Sequence, residues 1–127
     1  MDEPTIRYDE PSDTLHVVFV SGQAAAGVEL NENLLLRVDK ARGIAIGLTV
    51  FNFSLLAQRT ELGPRSFPLT GLADLPEETR GLALDLLRRA PVSEFLSVSA
   101  FTPADVLGES IPITWLQLDR ITSHAAT

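Results

Sequence analysis

The stretch IAIGLTVFNF, residues 44–53, constrains the fold more than any other part of the chain. Read as a strand, it puts Ile44, Ile46, Leu48 and Val50 on one face and Ala45, Phe51 and Phe53 on the other. A strand wetted on one side alternates apolar with polar residues, whereas one that is apolar on both sides belongs in a covered sheet. The chain must therefore supply flanking strands for this segment and something to lie over them.

Both requirements are met. IRY (6–8) and LHVVFV (15–20) alternate, so that Ile6, Tyr8, Leu15, Val17 and Phe19 can share one face. GVEL (27–30) and LLLRVD (34–39) follow, separated by the polar Asn31, Glu32 and Asn33. Gly43 can take the left-handed position that closes a short hairpin loop into the apolar strand. Residues 5–57 thus predict an antiparallel β-meander of about five strands. Residues 58–73, QRTELGPRSFPLTGLA, repeat Gly and Pro and read as a connection.

The cover comes next. In DLPEETRGLALDLLRRAP, Asp74 is placed to cap a helix, Pro76 suits its first turn, and Glu77 and Glu78 suit its positive end. Arg88 and Arg89 suit the other end, and Pro91 stops it. The apolar stripe Leu75, Thr79, Leu82, Ala83, Leu86, Leu87 and Ala90 predicts a packed amphipathic helix over about 75–90, lying on the sheet. Gly81 weakens that helix by about 1 kcal/mol relative to alanine. FLSVSAF (95–101) reads as a strand or the end of a short helix, and TPADVLG (102–108) as one helical turn. SIPITWLQLDRI (110–121) alternates as a strand, with Pro112 restricting it to an edge or a strand start. The tail TSHAAT is expected to fray. The expectation is a single α+β domain over 1–127, with the helix and one or two C-terminal strands in 74–121.

Composition removes several functions. The chain has no cysteine, which excludes disulfides, thiolate metal sites and cysteine catalysis. Its net charge is −7, with ten basic residues dispersed and one adjacent pair, Arg88–Arg89. Nucleic acid demands a concentrated basic face, so neither it nor an anionic membrane is expected as a direct partner. The acidic start MDEPTIRYDE lacks the basic region and apolar run of a signal peptide. The longest apolar stretch, residues 44–57, falls short of the roughly 18 residues a membrane span needs. A soluble cytoplasmic protein is expected.

Several short motifs have a family likeness. Tyr8-Asp9 followed by Asp13-x-Leu15, an acidic strand around Glu29, a strand ending in Asp39, the Gly43 turn and a strand with Gly47 closing near Ser54 resemble a bacterial family known as domain of unknown function 2283. The resemblance covers residues 5 to about 57 and implies a β-meander of that length. It brings no activity and no catalytic residues. Some members look like small partners of toxin-like proteins, so it implies an interaction role.

The densest polar cluster is Asp9, Glu10, Asp13 and His16, in IRYDEPSDTLHVVF. It is either a metal or acid–base site, or the polar tip of a hairpin. Pairing outward from DEPSD sets Tyr8 opposite Leu15 and Arg7 opposite His16. Asp9 and Asp13 then flank the loop, where short carboxylates accept backbone N–H bonds. His16 points out beside Arg7, whose charge opposes a cation, so the turn reading is preferred. Glu29, Glu32 and Asp39 form a second acidic set; convergence would raise a carboxyl pKa and suit acid–base work, but solvated strand ends and the hairpin turn at Asp39 account for them better. A serine triad needs a histidine inside a site, and the chain offers only His16 and the tail residue His124. Lys40, the sole lysine, follows no glycine-rich phosphate loop. Trp115, Phe95 and Phe101 suit a core. No cofactor and no metal are expected.

The outward side of the second strand, with Arg7, His16, Val18 and Val20, mixes charge with apolar groups. Such surfaces mark partner sites, and a two-fold homodimer through sheet faces or edges is the economical assembly. The leading expectation is a non-enzymatic protein-interaction module, homodimeric, with a further protein partner. The alternative is a small hydrolase or ligand-binding domain using the clustered acids Asp9, Asp13, Glu29, Glu32 and Asp39 with His16, with or without a divalent metal.

Overall fold

The computed structural model describes residues 4–20, 26–60, 63–64, 66–101, 111–117 and 121. Its first element is a hairpin: β1 (Thr5–Asp9) pairs antiparallel with β2 (Thr14–Val18), Arg7 opposite His16 and Tyr8 opposite Leu15. Asp13 closes the loop at φ 52°, a left-handed conformation that aspartate adopts more readily than most residues, and its N–H donates to Glu10 O at 3.1 Å. A second turn joins β3 (Ala26–Glu29) to β4 (Leu34–Asp39), where the Asn31 side chain accepts the Asn33 N–H at 2.7 Å. Gly43, at φ 64°, then turns the chain into β5 (Ile44–Phe51).

β5 is the longest strand and pairs on both sides, with β4 and with β2. The five-stranded order is β1-β2-β5-β4-β3. β3, β4 and β5 form a consecutive meander, and the first hairpin joins its last strand. Arg37 faces Gly47 whereas Val38 faces Ala45, so Ile46 is an extra residue that bulges β5. The bulge redistributes the apolar residues read from the sequence. Ala45 joins Leu48 and Val50 in the core, while Ile46 is 2% exposed yet stands outside the core cluster.

After β5 come α1 (Phe53–Leu56) and a two-residue pairing of β6 (Arg59–Thr60) with β7 (Gly63–Pro64). β8 (Phe67–Pro68) and a 3-10 turn over Thr70–Asp74 lead to α2 (Glu77–Leu87). The stretch 58–73 therefore carries short pairings of its own. A second 3-10 turn, Val92–Glu94, precedes β9 (Leu96–Phe101) and β10 (Ile111–Leu116). These strands build a three-stranded sheet in the order β8-β10-β9. Pro112 is the second residue of β10, at the strand start that its missing N–H allows, and its carbonyl accepts the Leu69 N–H at 2.9 Å.

Two details of the helix differ from the sequence expectation. It is shorter at both ends than 75–90, and Asp74 ends the 3-10 turn instead of capping α2, whose N-cap position is Pro76. Arg80 supplies what a cap would not: its guanidinium donates to Leu72 O at 2.9 Å and Leu75 O at 3.0 Å, tying the end of the 3-10 turn to α2. The expected helical turn at 102–108 and the tail 122–127 lie outside the described residues.

One face of the large sheet carries the core. Leu15, Val17, Val28, Leu34, Leu36, Val38, Leu48 and Val50 pack with Ala83, Leu86 and Leu87 of α2 and with Val92, Phe95, Leu96 and Leu116. Phe95 is fully buried, its ring 5.7 Å from Phe19. The C-terminal half is also tied to the β3–β4 turn by polar bonds. Gly71 N donates to Leu30 O at 2.8 Å, and the Asn31 amide donates to Pro68 O at 3.1 Å. Gly71 comes so close that a Cβ there would lie 2.2 Å from Glu29 O.

Candidate functional site

The six acid and histidine candidates do not share one site. Asp13 is the most engaged. It accepts the Tyr8 hydroxyl at 2.6 Å, the Ser54 hydroxyl at 2.8 Å and the Ser54 N–H at 3.1 Å. Its backbone carbonyl accepts the Phe53 N–H at 2.9 Å. Asp13 thus ties the first hairpin to the start of α1, while the Tyr8 ring lies 5.6 Å from Phe53. The expected backbone donor exists, but it comes from Ser54, just past the end of the neighbouring strand β5, and not from the hairpin's own loop. The Tyr8 hydrogen bond holds the Asp13 carboxyl below its usual range, and the same bond pushes the Tyr8 phenol up. Asp9 accepts the Ser12 hydroxyl at the loop.

Asp39 sits at the other end of β4. It accepts Arg42 Nε at 2.8 Å and the Arg42 N–H at 3.1 Å, which lower its pKa. Glu29 ends β3 and Glu32 lies in the turn after it, both exposed. Leu35 is the register partner of Glu29, so Asp39 lies four residues further along, about 13 Å away. Among the described residues no three His, Asp or Glu side chains are placed to hold a metal ion. His124 lies outside the described residues.

The sheet face turned away from the core offers a more coherent surface. Register places Arg7, His16, Thr49, Leu35 and Glu29 in one row across all five strands. The row beside it runs Thr5, Val18, Gly47, Arg37, Gly27, and on the other side Asp9, Thr14 and Phe51 align. The residues in the middle are small and already buried among their neighbours: Thr14, Gly47 and Thr49 are nearly inaccessible, and a Cβ on Gly47 would meet Val17 O at 2.8 Å. Phe51 stands 40% exposed at the end of the central strand, Leu35 and Val18 are half-buried, and none of the three joins the core. His16 lies beside Arg7, as strand pairing predicted. Val20 does not belong here. Beyond Val18 the strand ends, both Phe19 and Val20 donate to Ile46 O, and Val20 packs against the core.

A pocket of about 440 Å³ lies at the end of α2, lined in part by Phe19, Val20, Ile44, Leu86 and Pro91. Arg89 and Glu94 stand at it, and Arg89 is already committed to Asp85 at 2.9 Å and to Gly43 O at 2.9 Å. Its walls come from four separated parts of the chain, so no local pattern announces it. A shallower recess runs along Arg88, Ser97 and Trp115.

No protein-family model, no curated protein and no solved structure matches the chain. No helix among the described residues is long and apolar enough to cross a membrane. Function is therefore read from geometry.

Proposed function

We propose that the protein is a non-enzymatic interaction module, acting in the cytoplasm as a homodimer that engages a further protein. The observation that supports this is Phe51, a large aromatic left 40% exposed at the end of the central strand, on the sheet face away from the core. Aromatic side chains bury much area at low entropic cost and anchor interfaces. A flat sheet face with small residues around such an anchor suits a protein surface better than a small substrate. Catalysis, by contrast, asks for convergent polar groups in a concave site. Asp13 is taken up by Tyr8 and Ser54 and Asp39 by Arg42, and Glu29 and Glu32 face solvent.

Elemental analysis of the purified chain separates this reading from a metal-assisted hydrolase. The expected result is no stoichiometric divalent metal after dialysis against a weak chelator. One equivalent of retained zinc, manganese or nickel would overturn the proposal.

A further inference from the structure

Because β5 is the middle strand of five, a two-fold axis running parallel to it maps the sheet face onto itself. That axis carries β1 of one copy over β3 of the other, and β2 over β4. The charges on the two edges are opposite within a single register row: Arg7 on β1 and Glu29 on β3. We infer that the partner of this face is a second copy of the chain, stacked about a two-fold axis along β5, with Arg7 of each copy over Glu29 of the other. This rests on the interaction-module reading and gives it a geometry.

Three features favour a second copy as the occupant. Stacked sheets lie about 10 Å apart, a gap that an arginine and a glutamate can bridge when extended toward each other. Within one chain the two residues are four strand spacings apart, about 19 Å, so neither can serve the other intramolecularly. The same operation sets Phe51 against Phe51 near the axis, and Val18 over the aliphatic stem of Arg37. Charge balance also permits self-association. Within these rows Arg7 and Arg37 offset Asp9 and Glu29.

The contact is modest. Five strands at about 4.8 Å and some five residues at about 3.3 Å give roughly 400 Å² of flat face per copy. A total near 800 Å² is below the usual size of tight interfaces, so the dimer is expected to dissociate in the micromolar range.

Sedimentation velocity of the full chain over about 5–500 μM, with thermal melting as the check on folding, tests the arrangement. Arg7→Glu and Glu29→Arg each place like charges together twice in the homodimer, and each alone is expected to be at least tenfold weaker in self-association. Mixed one to one, the two variants are expected to recover wild-type affinity as a heterodimer. The glutamate introduced in one variant then meets the arginine introduced in the other, and the native Arg7 and Glu29 pair across the second contact. A wild-type chain still monomeric at 500 μM overturns the inference. So does a dimer indifferent to both swaps, or single variants that weaken without recovery on mixing. An indifferent dimer leaves the interaction-module reading standing on another surface, whereas bound stoichiometric metal removes that reading and leaves the dimer geometry untouched.

Discussion

Two glycine-to-alanine substitutions, chemically identical, are expected to move stability in opposite directions. At Gly71 a Cβ would meet Glu29 O at 2.2 Å and Leu30 C and O at 3.0 Å, all backbone atoms of the β3–β4 turn. The turn cannot rotate out of the way as a side chain could, so the 3-10 segment must lift off the sheet. Overpacking of this kind costs about 1–3 kcal/mol, and stretching the 2.8 Å Gly71 N–H to Leu30 O bond adds about 1 kcal/mol. Gly71→Ala should therefore lose about 2–4 kcal/mol. At Gly81, inside α2, nothing lies within 4 Å of the added carbon, and alanine should gain about 1 kcal/mol from helix propensity alone. For a chain of this length 1 kcal/mol moves the melting temperature by roughly 3–5 °C, so the pair should bracket the wild type by about 10 °C or more in total. Urea unfolding followed by circular dichroism gives the free energies directly. If Gly71→Ala is as stable as the wild type, or shifts in the same direction as Gly81→Ala, the docking of the C-terminal half described above is wrong.

Other substitutions address the node and the core. Asp13 has a folded-state pKa below its unfolded value, so its stabilising share is present above about pH 4 and is lost as pH falls through the depressed folded value. Asp13→Asn should lower the melting temperature at pH 7 and make its decline below about pH 4 shallower; an acid limb as steep as that of wild type counts against the node. Phe95→Ala should cost about 3–5 kcal/mol in urea unfolding, a large part of the stability of an ordinary domain, and Phe95→Leu distinctly less. A loss under about 1 kcal/mol would mean that the Phe19–Phe95 contact is not central to the core.

The strands were legible because their causes are local. Gly43 marks its turn by conformation, and the period-two pattern of Leu34, Leu36 and Val38 marks the core side of β4. Arg7 stands opposite His16 because Asp9 pairs with Thr14 across the four-residue loop 10–13. What could not be read depended on distant partners. Nothing near Ile46 in sequence announces a bulge; it arises from how β4 and β2 meet β5. Asp13 was visible as a turn residue, but in the chain Ser54 lies four strands further on. Asp74 resembled a cap because it precedes Pro76 and two glutamates, yet Arg80 reaches back to hold the carbonyls there and the 3-10 turn takes Asp74. Glu29 stands at the far end of the row that holds Arg7 and His16, a juxtaposition set by the strand order and not by any local pattern.

The placement of β5 has a consequence for how the chain is made. Its neighbours β2 and β4 are both synthesised first and would each present an open edge until β5 arrives between them. Pairing β2 with β5 closes a loop of some thirty residues, a contact of the kind that slows folding. As the chain leaves the ribosome, the hairpin and the β3–β4 pair must wait beside each other with no shared hydrogen bonds. The middle of the sheet is its last strand, so until β5 inserts, β2 and β4 add two unpaired edges to those of β1 and β3, ready to capture a neighbour.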